Sequence, residues 1–485
     1  MENNTFIKEF LTSLLGTGET EVAFSLYDGV KVSEITYTRF LKDILHCAGY
    51  LSGQGFRGKH VALAAPNSYE WVVFFFGILA SGNVAVPLNY ALPANILAKQ
   101  MEQADTTVVC CSDEGAKALK LAAPQMQYIS INDRIPHNGF GLGDVYCTDS
   151  NETILMLSTS GTTGESKLTE FTDGGLREAV FLSSSEFSAG FNGLSIRKYY
   201  LCLPLFHAGG LMTVLAVIRL RLILCMGRGI AHIFDDIAVF NPDITSMVPA
   251  VMEVAVKLLK RTSTPEQRAK ILGTRMKMIS TGSASISAEN CVYLMSLGLR
   301  LSVFYGMTES GGVGTSCVLD ESHIGTIGKP YGKISCRVED NELMLSGPSL
   351  MKGYYKDSAG TAAVIKNGWL KTGDLVRYDD DGYFYITGRK KNVIILSNGE
   401  NVNPEEIEKI LNTSDDILEC MVYSDKKGIL ADIYTENKKS AAAFIKKYNE
   451  QVPMYRQIYK VNYFSMPLEK TGIGKIKRKE NEYAQ

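Results

Sequence analysis

No hydrophobic run in this chain of 485 residues is long enough to cross a membrane. The most apolar stretch, Trp71–Ala80, covers about ten residues before Ser81-Gly82-Asn83 breaks it, whereas a span needs about twenty. It reads as a buried helix. The N-terminus, MENNTFIKEFLTSLLG, lacks a basic start followed by an apolar core, so no secretory leader is expected. Charge of one sign is missing too: 50 Lys and Arg stand against 52 Asp and Glu. A net charge of −2 gives no global field toward nucleic acid or an anionic membrane. The 10 cysteines show no C-x-x-C and no zinc-like spacing. Reduced, mostly buried thiols in a cytoplasmic protein are expected. No repeat of 20–50 residues and no low-complexity tract occurs.

What remains is ordinary globular material, 45% hydrophobic and 21% charged, in a chain long enough for at least two domains. Up to about residue 340, β-rich runs such as HVALAAP (60–66), TVVCCSD (107–113), YYLCLPL (199–205), ITSMVPA (244–250) and MKMISTG (276–282) alternate with helical stretches. That alternation predicts a layered α/β domain with substantially parallel sheets. From about 330 to 387 the pattern shifts to short strands and tight turns, with Asp381-Gly382 suited to a hairpin. After Gly388-Arg389 comes a compact tail. Its first helix is legible from Asn403 as N-cap, Pro404 at the first helical position, and Glu405 and Glu406 in the first turn. The expected organisation is a large α/β N-terminal domain with a β-rich end, residues 1–388, and a small mobile α+β domain, 389–485.

The sharpest chemical signal is Ser158-Thr-Ser-Gly-Thr-Thr-Gly-Glu-Ser-Lys167, directly after the apolar run TILML. Glycines let backbone N–H groups approach an anion, and the hydroxyls add donors, which suits a polyphosphate. Gly161 to Lys167 has the spacing of the nucleotide-triphosphatase loop G-x-x-x-x-G-K-[ST]. However, Ser166 replaces the second glycine and Leu168 the metal-binding hydroxyl, which disfavours that loop. A polar surface turn would explain this segment if it stood alone.

It does not stand alone. In order along the chain follow Tyr305-Gly306-Met307-Thr308-Glu309, Lys371-Thr372-Gly373-Asp374, Gly388-Arg389-Lys390-Lys391, SNGENVNPEEIE (397–408) and Thr471-Gly-Ile-Gly-Lys475. The set resembles the acyl-adenylate-forming superfamily of acyl-CoA synthetases, aryl-CoA ligases, luciferase and peptide-synthetase adenylation domains. It covers nearly the whole chain. Two departures from the family's pattern are Ser166 in a proline position and Ile473 in a serine position.

The resemblance implies an enzyme that joins a carboxylic acid to AMP with release of pyrophosphate and passes the acyl group to a thiol. Its substrates would be a small carboxylic acid, ATP and coenzyme A, with Mg2+ as cofactor. A carboxylate is a poor nucleophile toward an anionic triphosphate, so positive charge and oriented donors must gather at the α-phosphate. By resemblance, Thr159, Ser160, Gly161, Thr162, Thr163, Gly164 and Lys167 cradle the β- and γ-phosphates. By the same resemblance Glu309 would ligate Mg2+, which prefers hard oxygen donors, and Thr308 would hydrogen-bond the α-phosphate. Tyr305, in one segment with Gly306, would pack against adenine. Asp374 would accept from the ribose hydroxyls, and Arg389 would bind ribose or phosphate. Lys475 would bring its point charge to the reacting oxygens; its setting, KIKRK, would on its own read as a solvated or polyanion-binding tail.

His207 in LPLFHAGG would on its own be a core histidine. The resemblance makes it a gate between acyl pocket and thiol tunnel, and the tunnel would be lined by Gly399. Phe206-His207 occupies the place of the aspartate that holds an α-amino group in peptide-synthetase domains, which argues against an amino acid substrate. Small, apolar segments supply the expected acyl pocket: Phe206–Leu211, Val248-Pro249-Ala250, Gly282-Ser283-Ala284 and Gly311-Gly312. Gly282, Ser283 and Ala284 also count among the nucleotide-binding set. The tail lacks the family's V-x-D-x-x-x-GE insertion between its strands, which leaves two acceptors open: free coenzyme A, or the phosphopantetheine arm of an acyl carrier protein. A non-catalytic acyl-nucleotide-binding protein is the rival from outside enzymology. Against it, Glu309, Asp374, Arg389 and Lys475 are all present.

Overall fold

The computed structural model describes residues 5–15, 20–133, 135, 139–159, 166–282, 287–396, 400–425, 427–470 and 476–479. The chain divides into two compact units. One comprises residues 1–336 with 345–370, and the other 337–344 with 371–485.

The first unit is α/β. One sheet of nine strands has, in spatial order, Lys329–Pro330, Thr315–Val318, Arg300–Tyr305, Met278–Gly282, Ile244–Ser246, Lys198–Tyr200, Ile223–Met226, Val22–Tyr27 and Val32–Thr36. Its six central strands are parallel, and antiparallel pairs close both edges. The other has seven strands, ordered Gly353–Tyr354, Leu168–Thr172, Thr153–Ser158, Val84–Pro87, His60–Ala64, Val108–Cys111 and Gln127–Ser130. Near-continuous apolar runs such as VVCC at 108–111, all buried, are what a parallel strand covered on both faces requires.

The apolar stretch near residue 70 is the helix Tyr69–Ala80, buried at every position except Glu70. Ser68 starts it by accepting from the Trp71 N–H, and a helix apolar all round has to be interior. Among the described residues, no helix is long and apolar enough to cross a membrane. The N-terminal helix Phe6–Ser13 is pinned by Asp173, whose two carboxylate oxygens accept from the Phe6 N–H at 3.0 and 2.9 Å. All ten cysteines are free, six of them buried and Cys147 exposed.

The second unit takes up the strand Trp369–Tyr378 from residue 371 and its hairpin partner Phe384–Arg389, and the turn between them carries Gly382 at φ +82°. Beyond it, a three-stranded sheet of Glu419–Asp425, Gly428–Tyr434 and Ile458–Phe464 packs with the helices Pro404–Leu411 and Lys438–Gln451 around Ile407, Leu411, Val422, Ile433 and Ile445. Pro404 opens its helix as expected. The expected Asn403 cap bond is not made; the Asn403 amide donates instead to Glu406 Oε1 at 3.4 Å. Residues 426 and 427 alone connect the first two strands, so the unit has no insertion there.

Candidate active site

The strand Thr153–Ser158, with its four central residues buried, delivers the chain to Thr159. Past the loop, Lys167 enters the antiparallel strand Leu168–Thr172, with Ser158 opposite Leu168. Three bonds close the neck. The Thr159 N–H donates to the Lys167 carbonyl at 2.8 Å, the Lys167 N–H to Thr159 Oγ1 at 3.3 Å, and the Ser166 hydroxyl to the Thr159 carbonyl at 2.8 Å. Ser166 therefore ties the neck through its side chain. The loop residues Ser160, Gly161, Thr162, Thr163 and Gly164 lie outside the described residues, as do Ser283, Ala284, Gly399 and Lys475.

Lys167 Nζ lies 2.8 Å from Asp357 Oδ2 and 4.5 Å from the centre of the Tyr354 ring. Its hydrogen bond holds the Asp357 carboxyl below the usual carboxylate range. On the other side, Tyr354 donates its hydroxyl to Glu309 Oε1 at 2.8 Å. Glu309 sits in the single 3-10 turn Thr308–Ser310, which follows the strand Arg300–Tyr305. Its carbonyl accepts from the Met351 N–H at 2.8 Å, so residues 351–354 grip it by backbone and side chain. Burial, followed by the Glu309 carboxylate, raises the Tyr354 phenol above its ordinary value, which keeps it a donor.

The turn needs glycine at Gly306, because a Cβ there would run into the Gly312 carbonyl. Beside it Tyr305 is buried. Gly311 and Gly312 then run at φ +70° and +74°, where a side chain would be strained. The Gly312 backbone passes close to Met212 and the Ala208 carbonyl, on the helix Ala208–Arg219. His207 is the N-cap residue of that helix without a side-chain cap bond, and its ring centre is 5.9 Å from that of Phe206. The fold thus brings Gly312 beside Ala208 and Met212. Gly282 ends the strand Met278–Gly282 beside the Phe304 carbonyl, and Pro249 opens a separate helix, Pro249–Leu259.

In the second unit, Asp374 lies directly opposite Arg389 in the hairpin, and Arg389 Nε donates to Asp374 Oδ1 at 2.6 Å. Asp374 is only 3% exposed. A parallel pair, Lys390 to Glu342 at 2.8 Å, stands next to it. Glu342 also accepts the Gly373 N–H at 3.0 Å, and Thr372 donates to the Leu343 carbonyl at 2.7 Å. Lys475 itself is outside the described residues, but the chain is held on both sides. Lys470 and Ile476 form a β-bridge, Arg478 donates to Glu408 Oε2 at 2.6 Å, and Lys479 to Asp432 Oδ2 at 2.6 Å. Lys477 pairs with Glu469. These three cations of KIKRK are each engaged by a carboxylate.

Tyr354 and Asp357 carry no signal in the sequence. They lie in KGYYKD, a stretch with no phosphate-binding or acid–base pattern, and become visible only through their partners.

Residues 18–355 match the AMP-binding enzyme family, and residues 391–484 match the AMP-binding enzyme C-terminal domain. The chain belongs to this family. It is a ligase of the AMP-forming acyl-CoA synthetase type. The 2-succinylbenzoate–CoA ligase of Oceanobacillus iheyensis is 27% identical over 476 residues, covering 93% of this chain and 95% of that one. A feruloyl-CoA synthase from an Amycolatopsis species is 29% identical over 413 residues, covering 80% of each. The AMP-binding enzyme's fold also matches that of the Bacillus subtilis o-succinylbenzoate CoA synthetase solved with ATP and magnesium ion. The TM-score is 0.81 at 21% identity, covering 97% of this chain and 98% of that one.

Proposed function

We propose that the enzyme activates an apolar carboxylic acid, aromatic or medium-chain, as its adenylate and transfers the acyl group to coenzyme A. The observation that carries this reading is the meeting of Lys167 and Glu309 on Tyr354 beside the neck of the hydroxyl- and glycine-rich loop. A cation and a hard carboxylate held apart next to such a loop suit a metal-complexed triphosphate.

In the first half-reaction, a carboxylate oxygen of the acid attacks the α-phosphorus, the bond to the β-phosphate bridge breaks, and pyrophosphate leaves. Lys167 and the loop hydroxyls neutralise the β- and γ-phosphates, and Lys475 screens the reacting oxygens. Asp374 orients the ribose, and Tyr305 stacks beside the base. In the second, the thiol sulfur attacks the acyl carbon, the thiol proton is lost, and AMP departs with the bonding pair. His207 gates the passage between acyl pocket and thiol tunnel, and Gly399 lines the tunnel.

The donor set fits Mg2+. Among the described residues no three His, Cys, Asp or Glu gather into a metal cluster, and Glu309 offers one carboxylate beside a phosphate loop. Mg2+ is ordinarily held by one or two carboxylates plus phosphate oxygens. When bound it supplies charge neutralisation of the triphosphate, with Glu309 as its protein ligand.

Aromatic acids are favoured by the relatives named for succinylbenzoate and ferulate, together with the approach of Gly312 to the Ala208 helix that follows Phe206-His207. Methylene-scale selectivity is worth only ~1–3 kcal/mol, so the choice among such acids is an experimental matter. The functional boundary is placed at 388/389, ahead of residues 391–484 that match the C-terminal domain family.

A carboxylic-acid panel scored by pyrophosphate release, with and without coenzyme A, tests the proposal. Exchange with aryl or medium-chain acids and thioester formation with free coenzyme A are expected. Robust exchange with proteinogenic amino acids and none with simple acids would overturn the substrate class. Adenylation without thioester formation would instead point to a carrier-protein acceptor.

A further inference from the structure

We propose that Tyr354 is a positioning residue for the triphosphate end of the site: its hydroxyl fixes the Glu309 carboxylate while its ring face holds the Lys167 ammonium. The inference rests on the reading of Glu309 as the magnesium ligand and goes beyond it, by naming the side chain that sets that ligand's orientation.

The placement begins in the backbone. Gly353 and Tyr354 add to the edge of the strand Leu168–Thr172, pairing with Glu170 and Thr169. This puts Tyr354 alongside the strand that Lys167 enters. The Tyr354 N–H donates to Thr361 Oγ1 at 2.8 Å, and the Thr361 hydroxyl donates to the Asp357 carbonyl at 2.8 Å. Gly353 passes so close to Thr361 that a Cβ would lie 2.9 Å from its hydroxyl oxygen. The ring is therefore seated by main-chain contacts on two sides, and the residue is only 8% exposed.

From that seat it separates two opposite charges. Lys167 over the ring and Glu309 at the hydroxyl would otherwise attract each other, and a direct ion pair would engage both groups needed by a metal–triphosphate complex. Here each has a different partner. The ammonium rests on Asp357 and the ring face, as cations do on aromatic quadrupoles. Glu309 Oε1 accepts the phenol, and among the described residues Oε2 carries no hydrogen bond. One oxygen is oriented by a neutral donor and the other is left for a cation. Partners of this kind around metal-ligating carboxylates hold ligand geometry, and their loss commonly costs 10- to 100-fold in metal affinity.

Tyr354→Phe removes the hydroxyl and keeps the ring. Mg2+ titrations of ATP binding by calorimetry and of ATP–pyrophosphate exchange are compared for wild type, Tyr354→Phe and Glu309→Gln. The half-saturating Mg2+ concentration in Tyr354→Phe is expected to rise about tenfold in both measurements. The loss of exchange should be concentrated at low Mg2+, with the melting temperature within a few degrees of wild type. A merely structural tyrosine would lower exchange at every Mg2+ concentration without moving the half-saturation point, and that result would overturn the inference. If Glu309→Gln shifts the titration and Tyr354→Phe does not, the inference fails while the metal-ligand reading stands. If neither shifts, the reading of Glu309 falls and the inference with it.

Discussion

Asp374 and Arg389 face each other across an antiparallel hairpin, joined at 2.6 Å through Oδ1 and Nε. A carboxylate this buried must be paired to stay ionised, and the guanidinium, with 43% of its side chain exposed, supplies the counter-charge from the solvent side. Asp374 is thereby held as an acceptor in the proposed ribose contact. Asp374→Asn keeps the shape and loses the charge, so ATP binding should weaken about tenfold, the scale of one hydrogen bond to a charged group. Calorimetry with 2′-deoxy-ATP separates causes. The variant should discriminate less than wild type between ATP and the deoxy analogue; equal losses for both nucleotides would place Asp374 away from the ribose.

Lys475→Ala should abolish adenylation and spare thioester formation. On the proposed reading its charge is needed while the carboxylate attacks phosphorus and not while sulfur attacks a finished acyl-AMP. A loss of at least ~100-fold is expected in pyrophosphate exchange, the size of one key electrostatic group. With synthetic acyl-AMP and coenzyme A supplied, the variant should turn over near the wild-type rate. Equal damage in both half-reactions would refute the separation.

The family resemblance implies that two faces of the C-terminal domain, one with Lys475 and one with Gly399, serve the two half-reactions in turn, and Lys391→Pro tests Lys391 as the hinge between them. Lys391 lies in the short 3-10 turn Lys390–Asn392, just after the Arg389 strand. Proline fixes φ near −65° and restricts the residue before it, which limits the dihedral change a hinge must absorb. If proline traps the adenylating state, pyrophosphate exchange should survive while thioester formation collapses. Wild-type rates in both would exclude Lys391 as the hinge.

Asp173 gives a pH signature. Burial raises its carboxyl above the ordinary value of 3.8, against the lowering effect of the Phe6 N–H and the Thr148 hydroxyl. The folded state therefore holds this proton more tightly than the unfolded chain does. The group's contribution to stability is largest below the unfolded value and is lost as pH rises through the folded one. Measured as melting temperature between pH 4 and 7, the advantage of wild type over Asp173→Asn should shrink as pH rises. A constant difference would show that Asp173 titrates as it does in water.

How much of this was legible beforehand depended on the range of the interaction. The helix Tyr69–Ala80 was readable because a cap and an unbroken apolar run are neighbours in sequence. The hydroxyl- and glycine-rich loop and YGMTE stood out because their residues are consecutive in the sequence. Asn403 was correctly placed at a helix start, but its side chain lies against Gly388 and bonds Glu406, a tertiary preference that overrode the local cap. Tyr354 and Asp357 were invisible because Asp357 meets Lys167 across 190 residues and Tyr354 meets Glu309 across 45. No spacing rule reaches that far.

The distribution of the free thiols bears on where the enzyme can be labelled. Burial pushes the thiols of Cys202, Cys317 and Cys336 up to about 12 and those of Cys111 and Cys291 to about 11, so at neutral pH almost none of them is in the reactive thiolate form. Cys47, Cys110, Cys225 and Cys420 are buried as well. That leaves Cys147 as the exposed sulfur. A maleimide dye added at neutral pH should attach there first. Cys147 is therefore the expected first labelling site of the natural chain, which peptide mapping of the labelled protein would check.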